Sequence, residues 1–347
     1  MTANQSLIQS FANGAWTFGS GGARPVFHAV TGEKIGEVSS EGLDFRAMLE
    51  YARNVGNSNL RSMTFHERGR MLKKLAQYLM DRKDEFYPVS SATGATKVDS
   101  WIDIEGGIGT LFVTASKGRR ELPDEPYYVD GATEQVSKNG TFLGLHICTP
   151  LTGVAVHINA FNFPCWGMLE KLSSTFLAGM PAIVKPATAT SYLTQKMVSA
   201  MLESEILPDG ALQLICGGVG DLFDHLTSQD VVTFTGSAET GRKLRSHPII
   251  TANSVRFNME ADSLNCSILG DDVQESDEEF GLFVKEVVRE MTVKAGQKCT
   301  AIRRVIVPKD RVTSVVDAIK ARLETIAVGD PTVKEVKMGP LASREQV

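Results

Sequence analysis

Short apolar runs, AWTF, PVFHAV and KIGEVSS, separated by glycine and serine clusters, occupy the first forty or so residues and predict β-hairpins. The period then becomes helical. Phe45, Met48, Leu49 and Ala52 form one stripe, and Met71, Leu72, Leu75 and Leu79 form a second behind TFHE (Thr64 to Glu67), a capping box. From Gly153 onward β-rich runs alternate with helical stretches: GVAVHI, WGMLEKLSSTFLAG, PAIVK, SYLTQKMVSAMLES, LQLICGG and DVVTFTGS. That alternation predicts βαβ units on a parallel sheet. Another unit starts near Val255, where VRFNME and CSILG predict strands. Phe280, Phe283, Val284, Val287, Val288 and Met291 then make a helical stripe with an acidic start. Between the helical and βαβ regions, PYYVDGATEQVSKNGTFLGLHICTP predicts a protruding hairpin, and no repeat or low-complexity tract interrupts the chain.

Composition agrees with a globular chain: 347 residues, 42% hydrophobic and 22% charged, long enough for about two domains. With a net charge of −5 and its cations scattered, the chain has no footprint for nucleic acid or an anionic membrane, though small anionic ligands remain open. MTANQSLIQSFANGAW lacks the basic and apolar regions of a secretory leader, and no run approaches the ~20 apolar residues of a membrane span. A cytoplasmic protein is expected. Five cysteines, Cys148, Cys165, Cys216, Cys266 and Cys299, are odd in number and widely spaced, so reduced thiols are expected and no metal site.

In a doubly wound sheet, ligands bind beyond the carboxyl ends of the strands, so the segments just after strands carry the candidate chemistry. INAFNFPCWG sets Asn159 and Asn162 among aromatics, as a structural turn or as functional donors. In VKPATAT, Lys185 ends a buried run, and it reads as a surface lysine or as a cation for a ribose or phosphate. FTGSAETG, with Gly236 and Gly241 ahead of a helix, reads as a plain turn or as a phosphate cradle, and it lacks the GxGxxG spacing. Glu260 in NMEADS, flanked by Met259 and Ala261, is either an exposed carboxylate or a general base raised by an apolar setting. Finally KAGQKCT places Cys299 between lysines and small residues, where a small buried hydrophobe is the ordinary reading.

Taken in order, these segments resemble the NAD(P)-dependent aldehyde dehydrogenase superfamily along the whole chain. DSWIDIEGGIGTLF, INAFNFPCWGMLEKL, KPATAT, VVTFTGSAETG, MEADSLN and KAGQKCTAIRR resemble more narrowly the dehydrogenase part of the bifunctional ring-opening enzymes of phenylacetate degradation. The semialdehyde dehydrogenases of aerobic benzoyl-CoA oxidation share most of these motifs. The resemblance implies an α/β aldehyde dehydrogenase fold with a Rossmann-like parallel sheet. Residues 1–123 and 150–254 would form the NAD(P)-binding domain, 124–149 an oligomerisation hairpin, and 255–347 the first part of the catalytic domain. It implies a CoA-linked semialdehyde as substrate and a homo-oligomer in the full-length protein. Cys299 would be the nucleophile, giving a thiohemiacetal and then a thioester. Asn162, with the Cys299 N–H, would form the oxyanion hole, Glu260 would activate the hydrolytic water, and Lys171 would belong to the polar network or be a solvated helix lysine.

For the cofactor, the resemblance matches Lys185 to the adenosine ribose, Gly236, Ser237 and Gly241 to the pyrophosphate turn, and Thr188 to a position where NAD-preferring members carry glutamate. Without that carboxylate NADP is expected, with NAD possible. Ala160 and Phe161 replace the family's usual proline and tryptophan beside Asn162. The sequence ends at MGPLASREQV, where a family member would begin a further helix, so a fragment with exposed sheet edges, poor solubility or no turnover is expected from these residues alone.

Overall fold

The computed structural model describes residues 7–347; residues 1–6, which carry part of the no-leader reading, lie outside the described residues. The β-rich runs after Gly153 become five parallel strands, Ala155–Ile158, Ala182–Lys185, Leu212–Leu214, Val231–Gly236 and Arg256–Ala261. Numbered by their appearance in this series, they lie in the order 5-4-1-2-3. That is the doubly wound order, and its reversal falls between Ala155–Ile158 and Val231–Gly236. Ala155–Ile158, Ala182–Lys185 and Leu212–Leu214 are buried along almost their whole length, as strands covered on both faces must be, whereas Val231–Gly236 alternates buried and half-buried positions. Arg256–Ala261, at the edge, alternates exposed and half-buried positions.

The N-terminal hairpins divide between two sheets. Ser10–Ala12 and Ala15–Thr17 extend the main sheet antiparallel to Leu212–Leu214, whereas Arg24–Phe27 pairs with Lys34–Val38 in a separate sheet that includes Leu7–Ile8. The stripe beginning at Phe45 is helical but interrupted. Helix Phe45–Tyr51 passes through a π-helical segment, Ala52–Gly56, into Asn57–Arg61, and Gly56 lies so close to Gly210 that a Cβ would fall 2.0 Å from the Gly210 carbonyl oxygen. Helix Phe65–Asp81 starts at the expected capping box, with Thr64 and Glu67 each satisfying the other's backbone N–H, and buries Met71, Leu72, Leu75 and Leu79. Beside it runs Lys97–Glu121. This helix meets Trp166–Leu177 at Gly106 and Gly107, where an added Cβ would approach the Trp166 ring and Trp166 Cα to 2.8 Å.

Beyond the main sheet, Cys266–Ile268 pairs in parallel with Arg304–Ile306. Leu269, Phe280, Val284 and Val315 form a small core between that pair and helices Glu278–Thr292 and Val312–Leu323. Met291 departs from the expected stripe and is exposed, because the helix's last buried apolar residue is Val288 and it ends at Thr292. The hairpin Tyr128–Gln135 and Leu143–Cys148 is antiparallel and almost entirely exposed. Among the described residues, no helix is long and apolar enough to cross a membrane, and no cluster of His, Cys, Asp and Glu is placed to hold a metal.

Candidate active site

The reversal of strand order opens a crevice between the ends of Ala155–Ile158 and Val231–Gly236, and several of the candidate residues lie at or beside it. Asn159 directly follows the first of these strands. Lys171, on helix Trp166–Leu177, turns back to donate to Asn159 Oδ1 (2.8 Å) and to the Ile158 carbonyl (3.1 Å), which fixes the loop leading to Asn162. It is therefore no solvated helix lysine. Asn162 uses its Oδ1 to accept the Phe163 N–H (3.1 Å), and its amide nitrogen, the donor half, has no protein partner among the described residues. Phe163 in turn stacks edge-on with Trp166, at 6.3 Å between ring centroids.

The nucleophile segment follows helix Glu278–Thr292 through a turn whose backbone is left-handed at Lys294 (φ 56°), Ala295 (φ 51°) and Gly296 (φ 71°). A non-glycine residue in that region costs about 1–2 kcal/mol, so the turn persists only because its surroundings hold it. Asp99 Oδ1 accepts the Lys294 N–H at 2.8 Å, Gln297 returns two hydrogen bonds to the Lys294 carbonyl, and Arg303 donates to the carbonyls of Gly296 and Lys298. On the far side, Asn265 donates to the carbonyls of Cys299 (2.5 Å) and Ala301 (3.2 Å), while its own carbonyl accepts from Arg303 and Arg304. Cys299 emerges exposed, not as the buried hydrophobe of the ordinary reading.

The structure brings Glu260 to Cys299. Partial burial and then the facing Glu260 carboxylate push the thiol's pKa up, while the backbone N–H groups of Cys299 and Thr300 favour the thiolate. At neutral pH the Cys299 thiol therefore keeps its proton, with the Glu260 side chain beside it. Of the two readings open for Glu260 the structure has the exposed one, with Thr235 Oγ1 at 3.4 Å. Met259 and Ala261 flank it in sequence, but successive side chains of a strand point to opposite faces, so neither surrounds the carboxylate. Burial lowers Lys171 to about 8, and the charge of Glu260 acts against that shift.

On the cofactor side, Gly236 ends its strand and Ser237 caps helix Ala238–Arg245, accepting from the Thr240 N–H. Gly241 is buried against Met259 and Phe234. Asp262 Oδ1 accepts the Ala238 N–H at 3.2 Å, so a carboxylate engages the first N–H of that helix, where the pyrophosphate was expected. Lys185, the last residue of its strand, is lowered by burial and then by the nearby Arg24, with Cys216 acting oppositely. Thr188 begins the turn Thr188–Thr190, against which strand Arg24–Phe27 packs. Beyond Leu212–Leu214 a cavity of about 420 Å³ opens among Arg24, Glu41, Phe45, Gly217, Gly218 and Asp221, so one cation and two carboxylates line it; Lys185 is not among its lining residues.

Sequence reading passed over Asn265, Asp99, Asp103 and Lys294 as individuals, although all four lie inside its quoted motifs. Asp103 is wholly buried and accepts the N–H groups of Cys165 (3.1 Å) and Trp166 (2.8 Å), which hold the far end of the Asn162 loop. Asp99 Oδ2 completes the capping box of its own helix with Thr96, leaving Oδ1 for Lys294. Capping boxes are visible in sequence; these distant second bonds are not.

Comparison with known proteins agrees with this geometry. The chain is 44% identical to the 3,4-dehydroadipyl-CoA semialdehyde dehydrogenase of Aromatoleum evansii, over 98% of this chain and 66% of that protein. It is 26% identical to the alpha-ketoglutaric semialdehyde dehydrogenase of Bacillus subtilis, over 99% of this chain and 68% of that protein. An NADP-dependent enzyme of E. coli superposes with a TM-score of 0.83 at 22% identity, covering 98% of this chain and 68% of the other. The chain thus spans about two thirds of the length of these relatives. Residues 16–347 match the family model of the aldehyde dehydrogenases, and the chain belongs to that family.

Proposed function

We propose that this chain carries the nucleophile, base and cofactor side of an NADP-dependent oxidation of a CoA-linked semialdehyde to the carboxylic acid. The observation that carries the reading is the Glu260 side chain, on the edge strand beside Val231–Gly236, set against the Cys299 thiol in the turn region after helix Glu278–Thr292. Glu260 removes the thiol proton, and Cys299 Sγ bonds to the aldehyde carbon. The oxyanion is held by the free Asn162 amide and the Cys299 N–H, each worth on the order of 3 kcal/mol. Bound NADP supplies the hydride acceptor. Lys185, with Thr188 in place of a carboxylate, would hold its 2′-phosphate, and Gly236, Ser237 and Gly241 would form the turn beside its pyrophosphate. Loss of the thiohemiacetal's C–H hydride to that acceptor would leave a thioester, and Glu260, exposed and having passed the thiol proton to solvent, would then deprotonate the water that cleaves it, freeing the acid and the Cys299 thiol. Lys171 holds Asn159 and the Ile158 carbonyl, and so the start of the loop that carries Asn162. In this reading residues 1–123 and 150–254 bind the cofactor, 255–347 begin the catalytic domain, and the exposed hairpin at 124–149 joins copies into a homo-oligomer in the cytoplasm.

Two substrates follow from the motifs and the relatives. The motifs favour 3-oxo-5,6-dehydrosuberyl-CoA semialdehyde, from phenylacetate ring opening. The relative at 44% identity, named for 3,4-dehydroadipyl-CoA semialdehyde, favours the shorter acyl chain. Their kcat/KM ratio in the full-length natural protein decides between them. Glu260→Gln is expected to stall as an acyl-enzyme visible by intact mass; normal release of free acid from that variant would remove Glu260 from the hydrolytic step, and acyl-CoA as product would point to CoA transfer. Thr188→Glu is expected to shift the NADP/NAD ratio of kcat/KM at least tenfold toward NAD. An unchanged ratio would refute the cofactor assignment.

A further inference from the structure

Helix Lys97–Glu121 presents two buried carboxylates on one face, Asp99 and Asp103, one helical turn apart. Each reaches a different loop. Asp99 takes the Lys294 N–H in the nucleophile turn, and Asp103 takes the N–H groups of Cys165 and Trp166 at the end of the Asn162 loop. Lys294 closes the circuit. Its side chain is buried, its Nζ has no hydrogen-bond partner, and it lies 5.8 Å from the centre of the Phe163 ring, in the segment that follows Asn162. The ammonium acts electrostatically on Asp103 and on Cys165, so this single cation serves the helix and both loops. A buried lysine with no direct partner is an expensive group to keep for stability alone.

We propose that Asp103 and Lys294 form a coupled pair of positioning residues that locks the turn carrying Cys299 to the loop carrying Asn162. Neither touches the reacting atoms. The ammonium holds Lys294 and Ala295 in their left-handed backbone from within, and the carboxylate holds the oxyanion-donor loop at the same depth, so nucleophile and donor keep a fixed separation. That separation matters for turnover only if Cys299 and Asn162 play the parts proposed above.

The test uses the full-length natural protein with Lys294→Met, which keeps the stem and removes the charge, together with Asp103→Asn and the double variant. For Lys294→Met, kcat is expected to fall about 10- to 100-fold with the KM for NADP within twofold, and Lys294→Arg to recover part of the loss. The double variant is expected to be no worse than the poorer single variant, since the two residues act as one unit. Hydrogen exchange gives a readout that needs no turnover: Lys294→Met should speed exchange at Cys165 and Trp166, and Asp103→Asn should speed it at Lys294 to Cys299. Exchange confined to the mutated loop, or strictly additive losses of kcat, would overturn the coupling. Should Asp103→Asn fail to fold, exchange at Cys165 and Trp166 in Lys294→Met still decides it. Coupled exchange in a protein that oxidises no aldehyde would leave the lock standing and remove the proposed chemistry.

Discussion

Two turns face the same crevice and are built by opposite means. At Gly236 and Ser237 the chain passes from strand to helix in ordinary conformations, capped by a serine hydroxyl, with its polar groups near solvent. At Lys294 to Gly296 three successive residues are left-handed, and the turn is held by a carboxylate, Asp99, on a helix nearly two hundred residues earlier in the chain. In the proposed reaction the first turn presents backbone to a ligand that brings its own charge, whereas the second places one sulfur atom relative to one amide. Strain held by distant buried groups would then separate chemistry from binding.

The largest test of this contrast is the response to acid, because each side buries a titratable group and the two move in opposite directions. His157, inside the main sheet, is lowered to about 3 by burial and then by Lys171. The folded state refuses a proton that the unfolded chain accepts below pH 6.5, so this residue costs stability as pH falls from 6.5 toward 3, at about 1.4 kcal/mol per unit. Asp103 is raised to about 6 by burial, against the pull of Lys294 and two backbone N–H groups. Between pH 6 and about 4 the folded state holds the extra proton, so this residue adds stability as pH falls. The two slopes oppose over that window. Asp103→Asn is expected to unmask the histidine, losing about 1.4 kcal/mol per pH unit more than the parent between pH 6 and pH 4 in urea denaturation. Parallel curves for parent and variant would show that Asp103 is not perturbed.

The same contrast governs what the sequence shows. The parallel strands and their order-setting alternation with helices are legible, because a run such as AVHI or AIVK is buried on both faces and carries its own period. The phosphate-side turn is legible too, since glycine, serine and the helix that follows are neighbours. Cys299 and Asn162 are singled out by motif, but the groups that hold their loops are not, because Asp99 lies 195 positions from Lys294 and no local pattern joins them. For Glu260 the sequence leaves open an exposed carboxylate or an apolar setting, and the structure has the exposed one, because sequence neighbours of a β residue face away from it. The glycines of IEGGIG carried no chemistry in the sequence. In the structure Gly106 and Gly107 let the helix bearing both aspartates lie against Trp166, so they set the depth of the whole site.

A smaller effect is expected from adding one methyl group to each turn. Gly296→Ala places a Cβ on a residue at φ 71° and is expected to cost about 1–2 kcal/mol, with a fall in kcat as the turn relaxes. Gly241→Ala brings a Cβ to 2.8 Å from the end of the Met259 side chain, which can swing aside, and to 3.0 Å from the buried Phe234 ring, a tight contact that offsets the helix propensity gained from alanine. Its net effect is expected within about 1 kcal/mol, with kcat unchanged. Equal losses of kcat in the two variants, measured beside their urea midpoints, would erase the distinction between the turns.

The finest test removes a single hydroxyl. Ser237 accepts the Thr240 N–H and also donates to Thr240 Oγ1, so its side chain is the cap of helix Ala238–Arg245. Ser237→Ala should cost about 1 kcal/mol of stability, the usual worth of such a cap. Asp262 still engages the Ala238 N–H, so the helix start stays in place. A turn that only presents backbone to a phosphate should then bind NADP more weakly and leave the bound complex as fast as before, raising the KM for NADP a fewfold at constant kcat. A fall in kcat as large as that of Gly296→Ala would mean that this turn, too, holds reacting atoms in place, and that positioning is shared across the crevice instead of concentrated at Cys299.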